Sequence, residues 1–192
     1  MELQFDQATH VYRKGGLIVP NVTRVLDRLS NFNGIPSPVL EYKTDLGRAV
    51  HLACALHNEG ELDEATCDER TLDYLAGWKR FLLDTGFAPE PCYNEIQVYS
   101  RKWGYAGRLD CAGLCRREKW LIDIKTVCIV SPITGLQLAA YEEAMEGKYK
   151  RFACQLFPNG SYKLHAFAEK TDFSVFLAEL AVYNWRLRKG IK

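Results

Sequence analysis

The sequence predicts an α/β fold, a single domain with a central mixed β-sheet flanked by helices, and three observations lead there. Apolar spacing runs first at the helical period, changes to the strand period of two near Tyr93, and then alternates between the two. No repeat, low-complexity tract or Pro/Gly/Ser-rich linker divides the 192 residues. With 47% apolar residues, a chain of this length buries roughly 70% of its extended surface without needing metal or disulfide staples, which excludes a disordered chain.

Residues 2–19 read as short strands around the Gly15-Gly16 turn, and Pro20-Asn21 then precedes Val22, Val25, Leu26 and Leu29 at helical spacing. A loop containing Pro36 and Pro38 leads into a second helix marked by Leu46, Ala49, Val50, Ala53 and Leu56 and ending near Gly60. A third helix covers 68–85, with Leu72, Leu75, Trp78 and Leu82 on one stripe and Gly86 where a left-handed C-terminal residue belongs. From Tyr93, Ile96 and Val98 alternate with Glu95 and Gln97; Gly104 turns the chain into a strand over 105–115, and another covers 120–126. Helical spacing returns over 134–146. Residues 151–157 and 162–167 form a hairpin about Asn159-Gly160, and Thr171 or Asp172 caps a last helix ending near Gly190. The domain therefore divides into N-terminal strands and a short helix over 1–35, a core over about 40–157, and a C-terminal strand and helix over 160–190.

The charge balance, 25 Lys plus Arg against 24 Asp plus Glu with pI near 7.6, exerts no global pull on nucleic acid or membranes. Partner class must come from local features. Seven Cys, odd in number and without a Cys-x-x-Cys pair, are expected to be reduced thiols in a reducing compartment. Glu2 and Asp6 stand where a signal peptide carries basic charge, and no apolar run is long enough to span a membrane. The expectation is a cytoplasmic protein, bacterial or of a phage-infected cell, with no membrane partner.

In Trp-Leu-Ile-Asp-Ile-Lys, alternation puts Trp120, Ile122 and Ile124 on one face and Leu121, Asp123 and Lys125 on the other. A carboxylate and an ammonium therefore project together. Asp-x-Lys alone is common, but Tyr105-Ala-Gly-Arg-Leu-Asp110 places Asp110 on the neighbouring strand, and Glu95 lies one strand further back. Acids on adjacent strands suit a hard cation such as Mg²⁺ or Mn²⁺, which takes carboxylate, water and phosphate oxygens. Such a cation neutralises charge growing on a phosphoryl group, and a nearby Lys orients water or shares that charge. The implied chemistry is phosphodiester hydrolysis.

An acid followed by Asp-x-Lys on the next strand resembles the PD-(D/E)XK nuclease superfamily. Its RecB-type and phage exonuclease branch adds an upstream Gly-x-x-x-His and a downstream Gln-x-x-x-Tyr, present here as Gly47-Arg-Ala-Val-His51 and Gln137-Leu-Ala-Ala-Tyr141. His10-x-Tyr12 and Val19-Pro-Asn-Val-Thr23 are similar to the opening of its phage-type and mitochondrial genome maintenance members. The likeness covers about residues 5–157. It departs at Asn21, where the branch usually has Ser, and in lacking a Pro before Asp110.

The resemblance implies a restriction-endonuclease-like domain and a DNA nuclease, more an exonuclease than an endonuclease, leaving 5′-phosphate and 3′-hydroxyl ends. It implies His51, Asp110 and Asp123 as ligands of Mg²⁺ or Mn²⁺. Lys125 would position or deprotonate the attacking water, which a lowered pKa would help. Glu95 would complete the acidic cluster, and Gln137 and Tyr141 would hold Lys125 or a substrate phosphate. His51, Cys54 and His57 have zinc-ligand types, but steps of three drift around a helix and a fourth ligand is missing. No iron–sulfur cluster is expected, because nothing resembling the branch's C-terminal cysteine group follows Cys154.

DNA contacts are expected from Asn21, Thr23, Arg24, Arg48 and Arg108, with Arg28, Lys43, Arg101, Lys102 and the tail Arg186, Arg188 and Lys189 on the same rim. The helix after Asn21 offers an N-terminal phosphate site, and Trp103 and Tyr105 are candidates for stacking on unpaired bases. No Walker sequence is present, so unwinding would fall to a partner, such as a helicase or a single-strand annealing protein. Two other classes stay open: a DNA-end or protein-binding accessory module without turnover, and a Cys-His hydrolase, which lacks a recognisable nucleophile motif.

Overall fold

The structure is a computed structural model and describes residues 3–6, 11–30 and 37–191; His10 and Pro36 of the readings above lie outside these. The chain begins with three short strands, β1 (Leu3–Asp6), β2 (Val11–Lys14) and β3 (Leu17–Val19), which form a small antiparallel sheet. After α1 (Val22–Leu26) and a 3₁₀ turn come two longer helices, α2 (Ser37–Glu59) and α3 (Glu69–Thr85). Strands β4 (Ala88–Ser100), β5 (Tyr105–Cys115) and β6 (Glu118–Lys125) follow as an antiparallel meander. Helix α4 (Ile133–Ala144) crosses over to β7 (Lys150–Leu156), which runs parallel to β6, and β8 (Tyr162–Phe167) and α5 (Asp172–Lys189) complete the chain.

The five long strands lie in the order β4-β5-β6-β7-β8. Alternation along the strands divides the interior into two layers. On one face Leu109, Ala112 and Leu121 pack with Val22 and Leu26 of α1, Leu138 and Tyr141 of α4, and Phe176 of α5. On the other face Cys111, Ile122 and Ile124 pack with Val50 and Cys54 of α2 and Trp78 and Phe81 of α3. Thus Leu121 and Ile122 do face opposite ways, as the period of two requires. The small sheet rests its Tyr12 and Val19 on Ala106 of β5.

Local chemistry explains the element ends. The Asp68 carboxylate accepts from Arg70 N–H and caps α3, which ends at Gly86 in the left-handed conformation, φ 69°. Two boundaries and one cap differ from expectation. Helix α2 begins at Ser37, so Pro38 sits in its first turn, where a missing N–H costs nothing. Strand β4 begins at Ala88 instead of Tyr93, because an edge strand tolerates Pro89 and Pro91. Thr171 makes no capping bond and donates instead to Glu169, while Asp172 lies 3.2 Å from the Arg151 guanidinium. Among the described residues no helix is long and apolar enough to cross a membrane.

Helix α3 approaches the turn between β7 and β8 so closely that a Cβ on Gly77 would lie 2.7 Å from the Ser161 carbonyl oxygen. An alanine there gains roughly 1 kcal/mol of helix propensity but costs about 1–3 kcal/mol of overpacking, and rigid backbone puts it high in that range. Gly77→Ala is therefore expected to lower Tm by roughly 2–8 °C, corresponding to a net loss of about 1–2 kcal/mol. Thermal circular dichroism measures this, and a Tm at or above wild type would place α3 further from the turn.

Candidate metal centre

Pairing between β5 and β6 extends only as far as Cys111 opposite Ile122. Beyond that rung the strands part, and the Asp110 side chain replaces backbone, its Oδ2 accepting from Ile124 N–H at 2.6 Å. Side-chain direction changes at the same place: Leu109 packs in the α1/α4/α5 layer and Cys111, two residues on, in the α2/α3 layer. Asp110 is left in the fork with its Oδ1 3.3 Å from His51 Nδ1.

His51 is delivered by α2, whose buried stripe Leu46, Val50 and Cys54 docks on the sheet. Gly47, one turn earlier, passes the end of β6 so that a Cβ would sit 3.4 Å from Thr126 Oγ1, an ordinary contact distance. Glu95 arrives by another route. Between Pro89 and Asn94 strand β4 bulges away from its register, and Glu95 adopts φ 50°, a left-handed conformation that side-chain-bearing residues rarely take. Its carboxylate lies 3.6 Å from His51 Nδ1 and 3.6 Å from Arg108 Nε. Ligand atoms of His51, Glu95 and Asp110 all fall within 4.8 Å of one another.

Asp123 does not belong to that tight group. The side chains that converge are His51, Asp110 and Glu95, whereas in the expected set of His51, Asp110 and Asp123 the last faces Lys125 on its own strand. Asp123 Oδ2 lies 2.8 Å from Lys125 Nζ, so the ammonium answers this buried oxygen. The three converging N and O groups of His51, Glu95 and Asp110 are of the types that fit a hard or borderline divalent cation. His51, Glu95 and Asp110 would hold it, with Asp123 adjoining.

Protonation follows the same geometry. Burial disfavours the His51 imidazolium, but the charge of Asp110 and hydrogen bonds donated to Asp110 and Glu95 overcome it and raise the pKa to about 10. For Asp110 burial pushes upward, yet His51, Lys125 and the Ile124 N–H hold it below the usual carboxylate range. Burial and the Asp110 charge raise Asp123 against the pull of Lys125. Lys125 departs from expectation: burial lowers it, but Asp123 and Asp110 more than compensate and raise it. It is an ammonium suited to orienting groups and balancing charge, not a ready base.

Gln137 and Tyr141, on α4, bond to each other, Nε2 donating to Oη at 3.2 Å. Tyr141 is buried, which keeps its phenol protonated, and its ring lies where a Cβ on Gly107 would be, 2.5 Å from Cε1. This pair braces β5 beside Asp110, in place of the expected grip on Lys125.

The basic rim divides. Arg48 and Arg108, with Lys43, line a cleft of about 860 Å³ that has His51, Glu95 and Asp110 at its base. Arg48 also lies 3.5 Å from Asp45. Asn21 and Thr23 are occupied otherwise: Asn21 Oδ1 caps Thr23 N–H at 3.0 Å and accepts from the Thr23 hydroxyl at 2.7 Å. Helix α1 has only five residues, too few for the expected N-terminal phosphate site. Arg24 is on α1 and interacts with Asp27, outside the residues lining the cleft. Arg28 pairs with Glu179, Lys102 with Glu143, and Arg186, Arg188 and Lys189 sit in the last turn of α5, where they complement its dipole.

Contacts within the fold engage the two aromatic candidates, Tyr105 as a buried residue and Trp103 as a half-buried one. Tyr105 is fully buried and donates to the Ala140 carbonyl, and Trp103 donates to Glu143 and packs on Phe173. Cys54 is a core residue and His57 lies near Lys79 and Glu64, and among the described residues neither joins the group that His51 forms with Glu95 and Asp110. Burial pushes the Cys54, Cys111 and Cys154 thiols up, leaving them poor nucleophiles.

Asn94, next to Glu95, and Asn58 on α2 are hydrogen-bonded to each other. Neither belongs to a periodic pattern or spaced motif, and an Asn on a strand ordinarily reads as a turn or an exposed position.

No family model matches the chain, and no curated protein does. Among solved structures the chain is similar to SSO0001, at 19% identity and a TM-score of 0.39, over 86% of this chain and 84% of that one.

The left-handed φ of Glu95 makes a specific demand. In an ordinary strand Ala is preferred to Gly, but at φ 50° a Cβ costs about 1–2 kcal/mol. Glu95→Gly is expected to be more stable than Glu95→Ala by about 1 kcal/mol, roughly 2–4 °C in Tm. Calorimetry of the two variants decides it, and the ordinary order of stabilities would place Glu95 in extended backbone.

Proposed function

We propose that this chain is a metal-dependent nuclease acting on DNA, and more specifically an exonuclease working from linear or single-stranded ends. One observation carries the reading: His51, Glu95 and Asp110 converge at the base of a cleft that Lys43, Arg48 and Arg108 line with positive charge. Carboxylates at the base suit a divalent cation, and cations along the walls suit a polyanion. The order Gly-x-x-x-His, Asp110, Asp-x-Lys and Gln-x-x-x-Tyr along the chain supports the choice of the PD-(D/E)XK class.

Bound Mg²⁺ or Mn²⁺ supplies Lewis-acid neutralisation of a phosphoryl group. The protein's own groups do the rest. Arg48, Arg108 and Lys43 hold the backbone phosphates flanking the reacting one. Lys125, kept charged by Asp123, orients the attacking water and balances the negative charge that grows on phosphorus-bound oxygen. Asp123 and the Gln137–Tyr141 brace fix Lys125 and β5 so that these positions are set before substrate enters. Cleavage leaves a 5′-phosphate and a 3′-hydroxyl, and unwinding falls to a helicase or single-strand annealing partner in DNA recombination or repair.

The test is degradation of 5′- and 3′-labelled linear DNA, single- and double-stranded, beside a closed circle, with Mg²⁺, Mn²⁺ or EDTA. Wild type is expected to consume linear DNA only with metal and to spare circles. Asp110→Asn, Asp123→Ala and Lys125→Ala each lose about 100-fold or more of the rate, the scale on which single charge-stabilising groups act. Cutting of circles would make the enzyme an endonuclease. No degradation by pure wild type, with DNA binding unchanged by Asp123→Ala, would identify a binding module instead.

A further inference from the structure

A chain of four side chains, none of them in the proposed chemistry, runs from the α2/α3 layer to the Glu95 bulge. Trp78 Nε1–H donates to Asn58 Oδ1 at 2.9 Å, and Asn58 Nδ2 donates to Asn94 Oδ1 at 3.1 Å. Asn94 Nδ2 then donates twice, to the Ala55 carbonyl at 3.0 Å and to Glu59 Oε1 at 2.7 Å. The direction of every bond is determined. An indole N–H can only donate, so Asn58 must present its oxygen to Trp78 and its nitrogen to Asn94; a carbonyl and a carboxylate can only accept, so Asn94 must present its nitrogen to α2.

Asn94 is buried and directly precedes Glu95, and the acceptors it holds lie on α2, the helix that carries His51. A left-handed glutamate persists only where its surroundings over-determine it. Ladder pairs flank Glu95 at Asn94 with Cys111 and at Ile96 with Leu109, but the register is lost on the Pro89 side, and there the Asn94 side chain supplies the restraint. We propose that Asn94, oriented by Asn58 and Trp78, is a positioning residue that ties the β4 bulge to α2 and so holds the Glu95 carboxylate against His51. This rests on His51, Glu95 and Asp110 being a cation site and extends it outward by one layer of residues. Asn94 touches neither cation nor substrate; it acts through Glu95 alone.

That last condition is testable with Mn²⁺ as the probe, titrated by calorimetry into the full chain, with Tm recorded for each variant. Asn94→Ala is expected to weaken Mn²⁺ binding about 10- to 100-fold, as loss of groups that orient a ligand commonly does. In a Glu95→Gln background the same substitution is expected to change affinity by less than about twofold, since the residue it acts through no longer ligates. Tm falls in both backgrounds. Asn58→Ala, which leaves Asn94 in place but frees its amide to turn, repeats the pattern with a smaller loss and serves if Asn94→Ala does not fold. Equal weakening in both backgrounds, or none in either, would overturn the inference while leaving the cation site standing. A wild-type chain that binds no Mn²⁺ would overturn the site and the inference with it.

Discussion

The hydrogen bond from Ile124 N–H to the Asp110 carboxylate, at the point where β5 and β6 part, is the interaction on which the rest of the site depends. A sheet whose strands diverge leaves backbone donors without partners, and an unpaired buried N–H costs about 1–3 kcal/mol. Here a side chain closes the gap. A carboxylate has two oxygens, so the one that stands in for a backbone carbonyl leaves the other facing out of the ladder, and that oxygen meets His51. The fork therefore solves a backbone problem and presents a carboxylate oxygen to His51 in the same step.

Charge sets the second constraint. Glu95, Asp110 and Asp123 crowd a partly desolvated region in which like charges repel. Three cations answer them: the His51 imidazolium, the Lys125 ammonium and the Arg108 guanidinium. The His51 imidazolium between the Asp110 and Glu95 carboxylates balances their charge, which is how a buried acidic cluster remains compatible with a stable fold. A divalent cation held at His51 would need the neutral imidazole and would take the place of that proton.

Much of this architecture is legible in the sequence because it follows from local periodicity. The stripes Leu46–Val50–Ala53 and Leu75–Trp78 determine two helices, and the alternation of Leu121, Ile122 and Asp123 determines the faces of β6. The C-terminal hairpin at Asn159-Gly160 and the end of α3 at Gly86 follow from residues suited to left-handed backbone. Where local rules failed, a tertiary neighbour was responsible. Pro89 and Pro91 argue against a strand until β4 is seen to lie at the sheet edge. Asn21 reads as an anion site until its side chain is seen to satisfy the helix itself, and Trp103 and Tyr105 read as surface aromatics until α4 and α5 cover them.

The site divides along the same line. By itself the sequence determined the residue types and their elements: a histidine on a docked helix, acids on neighbouring strands, a lysine two residues beyond an aspartate. Only the tertiary structure decided which of them meet. A bulge in β4 and a reversal of side-chain direction at Asp110 are non-local events, set by where one strand stops pairing with the next. They bring Glu95 to His51, turn Asp123 to Lys125, and give Asn94 the task of holding the bulge. Period-two geometry predicts faces only while the ladder is regular, and the candidate centre lies where the ladder breaks.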